Sequence, residues 1–491
     1  MNNRDLCLAL LSADTETEVI DILTAAGYWD DLSMWRHFGG IENNYSIISN
    51  QQATAPAALV EKLTNAIDAV LLLEWELTRR KGKYDQPPSS PREAAQNFFR
   101  IPNGDLSALT DTERRTLSER ISLVATGKKS TPTFSIIDRG EGQHPDSFTD
   151  TFLSLKKSNK LRIPLVQGKF NMGGTGALVF AGDRNFQLII SRRHDLLDGG
   201  PWGFTITRRL PPDVARRSST FMYLAPGGTI LAFDNTAPLI FSPNGRPQSI
   251  AFELNHGTIV KLYEYRLQPK ALASNILFDL NYHLSLLLPE PVLPIRLYER
   301  RGDFTGHSME ATLVGIKNRL KSERAPLEID PLLGSISLRF EDRVYHLPVS
   351  TYVFKDKPGH YKDRQGILFV LNGQCHGVLS QDFFKRKNVK LSYLENFLLV
   401  SVNCDALPND VIEDLFMNSR DRLKDTAVRR QIEQSLENYL SNHEGLRQLA
   451  EKRGSRLSPM LRNWTARLKL LFRRFLTLTV ILRTFCSAEE S

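Results

Sequence analysis

The sequence predicts an α+β protein in which helices roof a mixed sheet, and three stretches lead to that reading. Residues 59 to 70 have the spacing of an amphipathic helix, residues 133 to 138 read as a strand, and residues 168 to 181 pass from a glycine-rich loop into an apolar run. From about 51 to 268, helical and β-rich patterns alternate, which suits a two-layer helix-on-sheet sandwich.

The helix can be laid out on paper. At about 100° per residue, Glu61, Asn65 and Asp68 fall within roughly 60° of one another. Leu59, Val60, Leu63, Ala66, Ile67 and Val70 spread over the opposite side, so an apolar stripe faces a core and an acid, amide, acid stripe faces away. By spacing alone this is also what a solvated helix face looks like. Asn is a poor residue for that purpose, because it is a weak helix former and Lys or Gln would serve better.

Thr133 to Asp138, reading TFSIID, is rich in β-branched and apolar residues and is followed at once by Gly140 and Gly142. An Asp at a strand end beside two glycines can aim its carboxylate into a cleft while the backbone passes close to a flat ligand. An Asp-Gly turn joining two elements is the competing reading.

Gly168, Gly173, Gly174 and Gly176, followed by Ala177 to Ala181, predict a loop opening a helix. Such a loop offers backbone N–H groups and a positive helix end to anionic oxygens, and phosphate is the natural guest. It is no Walker loop, since no Gly-Lys-Ser/Thr closes it. Just before it, Lys156, Lys157, Lys160 and Arg162 stand where a closing lid would neutralise phosphate charge, or where a plain surface cluster would sit.

In order, spacing and residue type, these pieces together resemble the GHKL superfamily of ATPases, which includes gyrase B, heat-shock chaperones, histidine kinases, MutL and the MORC proteins. The resemblance implies a Bergerat-type ATPase domain with ATP and Mg²⁺ as cofactors. It makes Glu61 the general base, Asn65 the magnesium ligand and Asp68 a residue bordering the nucleotide. Asp138 would accept the adenine amino group, with Gly140 and Gly142 letting the base approach. Lys160 and the glycines at 168, 173, 174 and 176 would form the lid and phosphate loop, although Asn171 stands where the family pattern has a second glycine. Thr258, opening the strand-like run His256 to Val260, is the candidate hydroxyl contact to adenine, with Gly228-Thr229 competing. Near Ser401 the segment SVNCDALPNDVIEDLFMNSRDRL resembles the middle domain of the heat-shock chaperones. That match makes Arg420 the γ-phosphate sensor, with Arg422 as fallback; an Arg starting a long helix and pairing with Asp421 or Asp425 would read the same way.

Composition bounds the rest. With 491 residues and 41% hydrophobic content, the chain can bury two or three domains. Cys7, Cys375, Cys404 and Cys486 stand far apart without a C-x-x-C pair, which argues against a disulfide framework or a zinc site and fits a reducing cytoplasm. The start of the chain shows no signal-peptide pattern, and no run reaches the length of a membrane span, so integral membrane association is not expected.

The expected organisation is a helical strap over 1–50, the ATPase domain over 51–268, a transducer-like α/β domain over 269–425 and a helical basic tail over 426–491. The strap carries Trp29, Trp35 and Phe38, and would pack on the ATPase domain or cross to a partner. Between Arg420 and Arg483 there are fifteen Lys or Arg against six Asp or Glu, so this region dominates the overall charge of +8. No aromatic platform or DNA-reading motif accompanies it, which favours a solvated or partner-binding helix over a nucleic-acid footprint. The function expected is an ATP-hydrolysing switch that closes a lid and rearranges domains or a homodimer around a protein client or nucleic acid. The alternative is an ATP-binding interaction module with little hydrolysis, recruiting a partner through its basic region.

Overall fold

The computed structural model describes residues 1–83, 85–155, 163–168, 171–214, 217–234, 236–242, 251–304, 309–323, 325–355, 366–417 and 422–455. It is a mixed α+β protein with a ten-stranded sheet, a five-stranded sheet and C-terminal helices.

The first helices are α1 (Asn3–Ser12), capped by Asn2, and α2 (Glu16–Ala25), opened by a Thr15/Glu18 capping box. After α3 (Tyr45–Ser49) comes α4 (Ala55–Arg80), a helix of 26 residues started by Thr54 with a proline in its first turn. Two shorter helices, α5 (Pro91–Phe99) and α6 (Asp111–Ser118), fill the stretch before the second strand.

The large sheet is built from β1 (Trp35–His37), β2 (Ile121–Gly127), β3 (Pro132–Asp138), β4 (Gln187–Arg192), β5 (Trp202–Leu210), β6 (Thr220–Leu224), β7 (Leu231–Phe233), β10 (Gly257–Leu262), β11 (Ile295–Glu299) and β12 (Glu310–Leu313). A separate hairpin joins β8 (Leu239–Phe241) to β9 (Phe252–Leu254). The order is β1-β6-β5-β4-β10-β3-β2-β11-β12, with β7 added at β5, and among the described residues only the β2–β11 pair of this sheet is parallel. The sheet therefore runs well past residue 268, the expected end of the first domain.

Strand alternation decides what covers each face. Leu123, Ala125, Phe134 and Ile136 face the α4 side, packing with Leu59, Leu63, Ile67 and Val70. Val124, Ile137, Leu188 and Ile190 face the other way, against Leu6, Leu10, Val19 and Leu23 of α1 and α2. The N-terminal helices, expected as a strap that packs on the first domain or crosses to a partner, pack on this face of the sheet and add a third layer. Buried Lys261 of β10 anchors them by donating to Leu11 O at 2.6 Å and pairing with Asp14 at 3.2 Å.

The second unit is the sheet β13 (Leu332–Phe340), β14 (Arg343–Val353), β17 (Leu398–Asn403), β15 (Gly366–Leu371) and β16 (Gln374–Ser380), in the order β13-β14-β17-β15-β16. Between the two sheets lie α7 (Asp279–Leu287) and α8 (Ile316–Ser322), with Leu280 and Leu284 in the α4 core and Leu286, Ile316 and Leu320 against the five-stranded sheet. The opposite face is covered by α9 (Asn409–Leu415), α10 (Ala427–Asn442) and helical residues 444–455. Val428, Ile432, Leu436 and Leu440 are buried there, so α10 is a packed element of the unit and no tail. The basic residues from 456 onward lie outside the described residues.

Candidate functional site

One stripe of α4 floors a cavity of about 420 Å³: Lys62, Asn65, Ala66, Ala69, Leu72 and Glu76 all line it. These positions recur every three or four residues, as one side of a helix must. The opposite wall is sheet, with Ile136 and Asp138 from β3 and Thr258 and Val260 from β10. Asn65, Asp138 and Thr258, far apart in sequence, thus share one cavity.

Asp138 and Thr258 are cross-strand partners in the β3–β10 register, which sets their side chains next to each other on the same face. Asp138 is 6% exposed, and its Oδ1 accepts from Gly140 N at 2.9 Å, which fixes the carboxylate's orientation. Thr258 Oγ1 lies 2.9 Å from Ser191 Oγ. Ser191 Oγ also lies 3.1 Å from Gly257 O and accepts from Gln143 N at 2.9 Å. Either hydroxyl can donate in the Thr258–Ser191 contact, so Thr258 faces the cavity as donor or acceptor. A carboxylate beside a hydroxyl suits a ligand with an exocyclic amino group. Thr229 is exposed and donates to Pro226 O, and it is not among the lining residues.

The glycines after Asp138 are required by the protein itself. A Cβ on Gly140 would sit 2.5 Å from the Ala69 Cβ, where the loop runs against α4 and Glu141 N donates to Ala69 O at 3.1 Å. Gly142 has φ +63°, and a Cβ there would lie 1.7 Å from Arg192 O.

Asp68 is fully buried and accepts from the backbone N–H groups of Gln167 (2.7 Å) and Gly168 (3.2 Å). It is not among the residues lining the cavity. Its carboxylate ties the entry to the glycine-rich segment onto α4, so the Gly168 N–H is already engaged. Residues 171–180 form a 3-10 segment containing Gly173 and Gly174. Thr175 from that segment lines the cavity, and Gly176 is packed against the Gln52 side chain. Lys156, Lys157, Lys160, Arg162 and Arg420 lie outside the described residues. Arg422 is placed beside β16, where its carbonyl accepts from Met417 N and its backbone passes Gly377.

Glu61, one turn before Asn65 and 2% exposed, meets a residue that sequence reasoning missed. Gln374 Nε2, at the start of β16, donates to Glu61 Oε1 at 2.6 Å. The β15–β16 turn carries it there. Asn372 and Gly373 both have positive φ, +49° and +78°, the left-handed pair that a tight two-residue hairpin requires. An Asn-Gly pair between two apolar strands was the available signal.

The turn is held to the first unit at two further points. Gln167 Nε2 donates to Asn372 O at 2.6 Å, and Glu290 N donates to Gly373 O at 3.1 Å. Glu290 is itself a hub, paired with Lys317 (2.6 Å), Arg92 (3.1 Å) and Lys321 (3.3 Å). Burial alone would raise its carboxyl, but the three cations outweigh that and hold it down at about 2. Lys62 is the opposite case. Its ammonium has no ion pair or hydrogen bond among the described residues, and burial pushes it down to about 7.

Among the described residues no cluster of His, Cys, Asp or Glu has the makings of a metal site, and no helix is long and apolar enough to cross a membrane. No protein-family model matches the chain, and a search of curated proteins finds no relative of it.

Proposed function

We propose that this chain is a cytoplasmic ATP-binding and ATP-hydrolysing protein of the GHKL type, with a Bergerat-type first unit and a transducer-like second unit. The observation that carries the reading is that Asn65, Asp138 and Thr258 line one cavity while Glu61, a turn away on the same helix, is met by Gln374 from the other unit. Asp138 and Thr258 would accept from the adenine amino group. Asn65 would hold Mg²⁺ through its amide oxygen, and the ion would neutralise phosphate charge.

In hydrolysis, Glu61 takes a proton from water as the water oxygen bonds to the γ-phosphorus. The bond to the β–γ bridging oxygen breaks, and ADP and inorganic phosphate leave. Gln374 orients the Glu61 carboxylate, so the hairpin of the second unit becomes the part that senses the nucleotide and passes its state on. Lid closure would then drive domain or homodimer rearrangement around a protein client or nucleic acid.

The test is steady ATP turnover of the wild type against Glu61→Ala, with binding measured in parallel. Binding should persist within a few-fold while turnover falls by about 10²–10⁴-fold; equal rates remove Glu61 from the role. One observation favours the second reading, a nucleotide-holding module with little hydrolysis. Glu61 is almost fully buried and already bonded to Gln374. Negligible wild-type turnover with intact ATP binding selects that reading.

A further inference from the structure

The cavity has two chemically different ends. Asp138 and Thr258 mark one end, beside Ala69, against which Gly140 packs. Lys62 lies seven residues earlier on α4, about 10 Å along the axis at 1.5 Å per residue. A nucleotide with its purine on Asp138 and its phosphates at Lys62 would span that length of the cavity. Asn65, one turn from Lys62, stands between the two ends.

The Lys62 ammonium has no counter-ion among the described residues. Every carboxylate facing this space has other partners. Asp138 accepts from Gly140 N, Glu141 is paired with Arg193 at 3.1 Å, and Glu76 is paired with Arg79 at 2.6 Å. Glu61, adjacent in sequence, accepts from Gln374. A half-buried ammonium left without an anion is costly, and its depressed proton affinity reflects that. A solvent-facing lysine would have extended into water; this one lines the cavity.

We propose that Lys62 is a binding residue for the phosphate chain of a nucleoside di- or triphosphate, supplied by the floor helix itself. The inference rests on the adenine nucleotide reading of the cavity and adds to it. Charge recognition is then built into α4, independently of any lysine on the glycine-rich side. Binding polyphosphate also draws a proton onto Lys62, since a nearby anion favours the charged form. The charged groups that line the same cavity are Asp138, Glu141, Arg193 and Glu76, with Glu61 next to Lys62 in sequence.

The experiment is titration calorimetry on the full-length protein with adenosine, ADP and a non-hydrolysable ATP analogue, each with magnesium and with chelator, for wild type, Lys62→Gln and Lys62→Arg. Lys62→Gln is expected to weaken the analogue and ADP by about tenfold or more, the range of a charge-assisted contact. Adenosine should bind within twofold of wild type, and Lys62→Arg should recover most of the loss. In buffers of different ionisation heat at pH 7, the wild type takes up a fraction of a proton with the analogue and Lys62→Gln takes up none. Unchanged analogue affinity in Lys62→Gln, or an equal loss of adenosine, overturns the proposal. A wild type that binds neither nucleotide nor adenosine overturns the adenine reading itself, an outcome distinct from either.

Discussion

Gln374 Nε2 and Glu61 Oε1 lie 2.6 Å apart across 313 residues of chain, and this bond joins α4 to the five-stranded sheet, with neither residue lining the cavity. Both groups are buried, so the contact is shielded from competing water and fixes one carboxylate orientation. Gln374→Ala should leave ATP affinity within about threefold and lower steady turnover by roughly 10- to 100-fold, the scale of a lost positioning contact. Phosphate-release kinetics beside calorimetry decide it; turnover at the wild-type rate would show that Glu61 needs no such partner.

Asp138 sits in register with Thr258 and is held by Gly140 N, so an amide in its place would fit the same space. Asp138→Asn puts an N–H₂ where an adenine amino group needs an acceptor. Adenine nucleotide affinity should fall by about 10- to 100-fold, an unpaired buried polar group costing about 1–3 kcal/mol. Unchanged binding by calorimetry removes the adenine assignment.

Gly142→Ala separates scaffold from ligand contact. With φ +63° and a Cβ only 1.7 Å from Arg192 O, alanine must displace either the loop or β4. The expected loss is on the order of 2–4 kcal/mol of stability without any ligand present. Denaturant melts of the ligand-free protein measure it, and a midpoint equal to wild type would return this glycine to a purely ligand-facing role.

Glu290 ties Arg92, Lys317 and Lys321 to the loop that holds Gly373. Because its folded carboxyl is depressed to about 2, its contribution to stability is complete above the unfolded value of about 4.3 and is lost as pH falls toward 2. Glu290→Gln should cost about 3–5 kcal/mol at pH 7, since it leaves three cations around a neutral group. Below about pH 4 the gap to wild type should narrow. Paired denaturant melts from pH 7 to pH 3 test the sign; a gap that widens in acid contradicts it.

The polar stripe of α4 was legible because helical spacing is local; of its three members Asn65 lines the cavity and Glu61 does not. The same stripe misled at Asp68, whose carboxylate is spent on two backbone N–H groups, a use that no spacing distinguishes from facing a ligand. Lys62 escapes a reading of the sequence because a lysine beside a glutamate on a helix looks solvated until the sheet wall opposite it is known. The third layer is hidden for another reason. Strands β2 and β3, ISLVATG and PTFSIID, are buried along nearly their whole length, so both faces are covered, but their residues do not say by what. Gln374 is the hardest case, since its partner is fixed only when the Asn372-Gly373 turn is docked.

The bonds around Gln167 form a closed loop: its backbone is held by Asp68 of α4, its side chain holds Asn372, and Gln374 beyond the turn returns to Glu61 on the same helix. A linkage of this kind has no slack. Whatever pulls on the loop at Gly168 must either drag the hairpin of the far sheet with it or break one of three short contacts, so the two halves of the molecule are geared at a single helix.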